Sequence, residues 1–209
     1  MPAKEVIVVL LPRIFALVSS AEDLSLLPAF AELGVRGFQV RDKAASTREL
    51  VALTSAVRSR VGVFDACVVV DDRLDVALAA GADGVHLGAS DLPVEAARRI
   101  ADTASPGLMI GATCRDRAAV VAAQETGADY AGFGPVFATT SKSGLPDPLG
   151  VEAVSAAAGV LPLIAIGGLS ASRAAEVRAA GAHGVAVIGG LWRQPDPLQA
   201  AKELVEAAG

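Results

Sequence analysis

Arg41 and Lys43, the adjacent acids Asp71 and Asp72, Asp91, and the run Thr139-Thr140-Ser141-Lys142 are the side chains with the most chemistry to offer. The stretch GFQVRDK, residues 37–43, begins as an apolar run and ends in charge. In an extended chain alternate side chains share a face, so Gln39, Arg41 and Lys43 line up together while Phe38 and Val40 take the other side. A second apolar run ends in Asp71-Asp72, and a third is closely followed by Asp91. Carboxylates opposite cations suit a metal–phosphate site. A hard ion such as Mg²⁺ takes one or two carboxylates plus phosphate oxygens. Arg then grips the remaining phosphate charge as a fork and Lys as a point charge.

Each residue also has a plainer reading. Arg41 and Lys43 would pair with Asp42 or Asp72 at the surface. Asp72 would pair with Arg73 or cap the next helix, and Asp91 would cap the helix starting near Pro93. The loop GPVFATTSKSGLPDPLG, with Thr139, Ser141 and Lys142, would be solvated surface. Against that stands its length, because long loops in compact chains with short connections tend to carry function.

The elements that must position these residues follow from an alternation. Short β-rich runs open at residues 13, 37, 67, 84, 108, 130, 163 and 184. Helical stretches lie between them at about 23–33, 46–60, 73–80, 93–102, 115–126, 150–158 and 172–180, with a last one at 197–208. Strand then helix, eight times over, predicts a (β/α)8 TIM barrel, an α/β fold in one domain over 1–209. A doubly wound open sheet is the alternative, but no G-x-G-x-x-G follows the first strand. LGVRGFQV, AGADGVHLG, TGADYAGFG and AGAHGVAVIGG echo one another. In each, a glycine (Gly34, Gly81, Gly127, Gly181) stops a helix before the next strand. Ser46, Ser170 and Asp196 have the character of N-caps, and Pro93 and Pro197 that of first-turn residues.

In such a barrel the C-terminal strand ends share one rim, where reactive groups gather. Gly167–Gly168 and Gly189–Gly190 end the last two strands, a frequent place for backbone N–H groups to receive phosphate. Tight turns are the plainer reading. The layout predicts a glycine cradle for one phosphate and a Mg²⁺-assisted diphosphate site.

The net charge of −5 and the lack of a basic run argue against nucleic acid, so the cations at 41 and 43 serve something local. The apolar N-terminal run is broken by Pro12 and Arg13 and is too short to span a bilayer, and no signal peptide or anchor is read. Cys67 and Cys114 lack metal-type spacing and read as reduced core thiols of a cytoplasmic protein. His86 reads as a core or supporting residue, His183 as surface, and Trp192 as packing under the last helix.

The motifs FQVRDK, DDRLDVALAAGADGVHLG, GADYAGFGPVFATTSK and IAIGGLS together resemble the thiamine-phosphate synthase family, in register from about residue 14 to 205. The resemblance implies a (β/α)8 enzyme, a transferase that joins hydroxymethylpyrimidine diphosphate to a thiazole phosphate with Mg²⁺ and releases diphosphate. It implies that Gln39 contacts the pyrimidine, that Arg41, Lys43 and Lys142 hold diphosphate, and that Asp72 and Asp91 bind Mg²⁺. Thr139, Ser141 and Gly168 match residues around the thiazole phosphate and the strand-6 loop. Several positions depart from the family pattern. Asp71 stands where Asn is usual at a pyrimidine and diphosphate contact, and Thr113 and Gly189 replace Ser. Ala89 replaces Gln, and Ala138 replaces Pro. The expected partners are these small molecules, with neither nucleic acid nor membrane; a homo-oligomer is compatible with the sequence. The alternatives are a thiazole tautomerase, which usually lacks the paired acids, and a non-catalytic barrel that binds thiamine precursors. A phosphosugar isomerase or aldolase would want a lysine inside a strand, and strands 4 to 8 have none.

Overall fold

The computed structural model describes residues 10–139, 144 and 146–209. Eight strands form the sheet: β1 Ile14–Val18, β2 Gly37–Val40, β3 Cys67–Asp71, β4 Gly84–Leu87, β5 Met109–Cys114, β6 Tyr130–Phe133, β7 Leu163–Ile166 and β8 Gly184–Val187. All pairings are parallel, and β8 pairs with β1 to close the barrel. The helices are α1 Leu27–Leu33, α2 Thr47–Val61, α3 Leu74–Ala80, α4 Val94–Ala104, α5 Arg117–Glu125, α6 Val151–Ala157, α7 Ala171–Ala179, α8 Gly189–Trp192 and α9 Pro197–Ala208. The expected (β/α)8 barrel is the architecture found.

Local chemistry sets the boundaries. Ser46 accepts from the Glu49 N–H while the Glu49 carboxylate accepts from the Ser46 N–H, a reciprocal cap that starts α2. The Asp196 carboxylate accepts from the N–H groups of Leu198 and Gln199 at the start of α9. Gly34 ends α1 at φ 113° and Gly81 ends α3 at φ 64°, a left-handed turn that any side chain would strain. Some boundaries differ from expectation. Pro93 sits one residue before α4, as its N-cap, with extended ψ of 138°. The helix expected from 23 opens as a 3-10 turn, Leu24–Leu26, before α1. The Gly189–Gly190 pair, read as a phosphate-receiving loop with a tight turn as the plainer alternative, begins the short helix α8.

Strand alternation splits the core in two. Outward side chains, among them Phe38, Val40, Val68, Val70, Val85, Ile110 and Phe133, pack beneath the helices. Inward ones, Phe15, Leu17, Cys67, Val69, Met109, Tyr130, Ile164 and Ala186, fill the lumen. Bulky lumen residues occupy space left by glycine on a nearby strand. A Cβ on Gly37 would stand 2.6 Å from Cδ1 of Phe15, and one on Gly132 would stand 2.6 Å from Cε1 of His86. The lumen is therefore a packed plug whose lower layers are apolar. Toward the C-terminal rim the inward positions turn polar: Gln39 on β2, Asp71 on β3, His86 on β4 and Thr113 on β5.

Candidate active site

The rim of the barrel carries two linked clusters. In the first, the amide of Gln39 donates through Nε2 to Oδ1 of Asp71 at 2.6 Å. Nε of Arg41 lies 3.0 Å from the other oxygen, Oδ2. Gln39 and Asp71 are buried and Arg41 is partly covered, so water screens these contacts weakly. A hydrogen bond to a charged group in such a setting contributes about 1.5–3 kcal/mol. The Arg41 N–H donates to the carbonyl of Val18 at 2.8 Å, which carries the ladder one residue beyond β2 and aims the side chain at the mouth.

Beside it, the ammonium of Lys43 pairs with Oδ2 of Asp72. Asp72 turns at φ 64°, and its N–H donates to the carbonyl of His86 at 2.7 Å, which ties the end of β3 to β4. Asp42 plays no part in holding the two cations. Its carboxylate accepts from the hydroxyl and N–H of Ser20 and links the first two rim loops. Arg73 is engaged with Asp75 instead of Asp72. Asp91 does not cap α4: Oδ2 accepts from the N–H of Gly88 at 2.7 Å and closes a tight loop after β4.

The second cluster was not foreseen from the sequence as a unit. His86 is buried; Nε2 lies 2.9 Å from Oγ1 of Thr113, and Nδ1 lies 3.2 Å from the hydroxyl of Tyr130. Burial holds the imidazole below its usual range, against the pull of the Asp71 and Asp91 carboxylates, so it is neutral. Burial also keeps the Tyr130 phenol well above its ordinary value. The neutral ring donates at one nitrogen and accepts at the other, so Tyr130 and Thr113 take opposite roles on its two sides. Thr113 is exposed at the mouth. The signal for this cluster lay in the inward glycines Gly111 and Gly132, which make room for Tyr130 and His86.

After β6 the loop legs are held together by backbone bonds from Leu149 to Pro135 and from Gly150 to Val136. Arg115 donates to the carbonyls of Gly134 and Asp147, one on each leg. Thr139 lies in the first leg; Ser141 and Lys142 lie outside the described residues. Gly168 adopts φ 65°, and a Cβ there would stand 2.9 Å from Cβ of Phe137. Its carbonyl accepts from Arg173 at 2.6 Å, and the Arg173 guanidinium lies 4.6 Å from the centre of the Phe137 ring. Gly168 thus serves close packing between the β6 and β7 loops. Gly189 is half-buried at the start of α8 and its carbonyl accepts from Gln194. Trp192 donates to the carbonyl of Leu17 at 2.7 Å and meets Phe30 edge-on, the packing role expected of it. His183, expected at the surface, is half-buried and bonds to the Leu11 carbonyl.

Among the described residues no three His, Cys, Asp or Glu groups are grouped to hold a metal. Asp72 and Asp91 are two hard oxygen donors on neighbouring strand ends. That set fits an ion completed by phosphate and water oxygens, and it does not fit a soft or fully caged metal. A cavity of about 940 Å³ opens at the opposite end of the barrel, bordered by Arg13, Arg36, Asp65 and Asp83. It lies far from these groups, at the N-terminal strand ends, where this fold rarely places chemistry.

Residues 13–191 match the family described as thiamine monophosphate synthase. The chain belongs to that family. It is 47% identical to the thiamine-phosphate synthase of Methanoculleus marisnigri over 82% of this chain and 81% of that protein. It is 45% identical to the thiamine biosynthesis bifunctional protein ThiM/ThiE of Symbiobacterium thermophilum over 92% of this chain, and spans 40% of that longer protein. Among solved structures, thiamine phosphate pyrophosphorylase from Pyrococcus furiosus superposes with a TM-score of 0.82 at 33% identity, covering 94% of this chain and 95% of that one. Family members carry thiamine-phosphate synthase activity in their names, which places the chain among transferases of thiamine biosynthesis. No helix among the described residues is long and apolar enough to cross a membrane.

Proposed function

We infer that this chain joins hydroxymethylpyrimidine diphosphate to a thiazole phosphate, giving thiamine phosphate and diphosphate. The observation that carries this is the convergence of Arg41 and Lys43 with Asp71 and Asp72 on one rim, from adjacent strands, in a chain of this family.

The reaction breaks the bond between the pyrimidine methylene carbon and the diphosphate oxygen, and the electron pair leaves with diphosphate. The thiazole nitrogen then supplies a lone pair to the same carbon. The thiazole nitrogen is already nucleophilic, so no side-chain nucleophile is required. The demand on the protein is to stabilise charge growing on the leaving group, a task for the cations Arg41, Lys43 and, by the resemblance, Lys142. Mg²⁺ is the cofactor of this reading, and Asp72 and Asp91 would hold it; when bound it neutralises part of the diphosphate charge. Lys43 and Asp72 neutralise one another without ligand, so they are the pair that binding exchanges: the ammonium turns to phosphate and the carboxylate is released. Thr113 offers its hydroxyl to the pyrimidine diphosphate, and Gln39 faces its ring. Thr139, Ser141, Gly168 and Gly189 are assigned to the thiazole phosphate side. Holding both substrates side by side supplies the remaining acceleration. A cytoplasmic location belongs to the same reading, since the substrates are soluble phosphates.

The test mixes the purified protein with both phosphorylated precursors and Mg²⁺. Thiamine phosphate and diphosphate appearing in equal amounts support the reading. Neither product appearing, with both substrates intact, would reject it.

A further inference from the structure

We propose that Asp71 is a positioning residue that sets the polarity of the Gln39 amide and the attitude of the Arg41 guanidinium before any ligand arrives. This rests on the reading of the mouth as a diphosphate site. Family resemblance assigns this position to Asn, in contact with substrate. The geometry here gives the acid a different task.

Two groups converge on Asp71: Nε2 of Gln39 donates to Oδ1 at 2.6 Å, and Nε of Arg41 forms an ion pair with Oδ2 at 3.0 Å. A carboxylate accepts at both oxygens. An Asn side chain accepts at one and donates at the other, so its NH₂ would face one of these N–H groups. With Asn here the Gln39 amide could turn to suit it; the acid allows one orientation only. The Gln39 amide cannot reverse without setting its carbonyl oxygen against a carboxylate, so the carbonyl oxygen is the atom the amide presents away from Asp71. Arg41 is held through Nε, which leaves its two terminal nitrogens as a fork for an anion. Asp71 is itself only 9% exposed and both oxygens are engaged, so a ligand meets it through Gln39 and Arg41. Paired with Arg41, it brings little repulsion to an incoming diphosphate.

The experiment titrates Mg²⁺ and inorganic diphosphate into wild type, Asp71→Asn, Arg41→Ala and the double variant by calorimetry, with thermal midpoints recorded. Asp71→Asn is expected to weaken diphosphate about tenfold, the size of one lost charge-assisted hydrogen bond. The same change in the Arg41→Ala background is expected to cost less than about twofold, because the residue acts through Arg41. An Asp71→Asn protein that binds diphosphate as well as or better than wild type overturns the proposal, as does an equal loss in both backgrounds. Should Asp71→Asn not fold, Arg41→Lys carries the test, since it keeps the charge and removes Nε. Retained diphosphate affinity in that variant also overturns the proposal. Product formation by wild type separates the two readings. Thiamine phosphate made by wild type with an unaffected Asp71→Asn sinks positioning alone. Coupled diphosphate binding without thiamine phosphate sinks the proposed reaction alone.

Discussion

His86 lies across Gly132: a Cβ on residue 132 would stand 2.6 Å from Cε1 of the imidazole. The glycine on β6 thus exists for the histidine on β4, two strands away across the top of the lumen. Gly132→Ala should push the ring off Thr113 and destabilise the fold by about 1–3 kcal/mol, the usual cost of overpacking. Urea unfolding measures the loss, and a midpoint equal to wild type would show that the ring has room to spare.

Thr113 stands exposed at the mouth with its Oγ1 2.9 Å from Nε2 of His86. Thr113→Ser keeps the hydroxyl and should retain turnover within about threefold. Thr113→Val removes it, leaves a buried ring nitrogen without its partner, and should cost about 1–3 kcal/mol in stability along with substrate affinity. Steady-state kinetics on both variants separate the hydroxyl from the methyl group. Equal loss in both would assign the effect to packing.

The barrel was legible in the sequence because four helices are followed by a glycine at positive φ, Gly34, Gly81, Gly127 and Gly181, and each strand is a short apolar run. Arg41, Lys43, Asp71 and Asp72 were legible as a group because alternation along two neighbouring strands puts them on one rim. Their pairing was not. Sequence order gives no reason for Asp71 to take Arg41 while Asp72 takes Lys43; strand register decides that. The His86–Tyr130–Thr113 cluster was hidden for a similar reason, since three strands contribute one residue each. Gly189–Gly190 read as loop glycines after the last strand, yet the chain continues there into α8, where Leu191 is buried and Trp192 finds Phe30 and the Leu17 carbonyl. The plainer reading of Asp91, a helix cap, does not hold, because it bonds back to Gly88 before the helix begins.

Cys67 and Cys114 are both buried, free thiols. Burial first, and the Asp116 charge second, push the Cys114 thiol up to about 11; burial raises Cys67 further. Below those values the reactive thiolate is scarce. At pH 8 a chromogenic disulfide reagent should leave native protein essentially unreacted, then titrate two thiols after denaturation. Rapid reaction of one thiol in native protein would place it nearer solvent than the structure does.

The central claim is that carboxylates and cations from separate strands converge to grip a metal-bound leaving group. Its most direct test is the rate of diphosphate release against Mg²⁺ concentration for wild type, Asp72→Asn and Asp91→Asn. Wild type should rise with Mg²⁺ to a plateau, and each variant should fall by about 10²-fold or more, as for a lost electrostatic stabiliser. Variants that match the wild-type plateau with the same Mg²⁺ dependence would contradict the account.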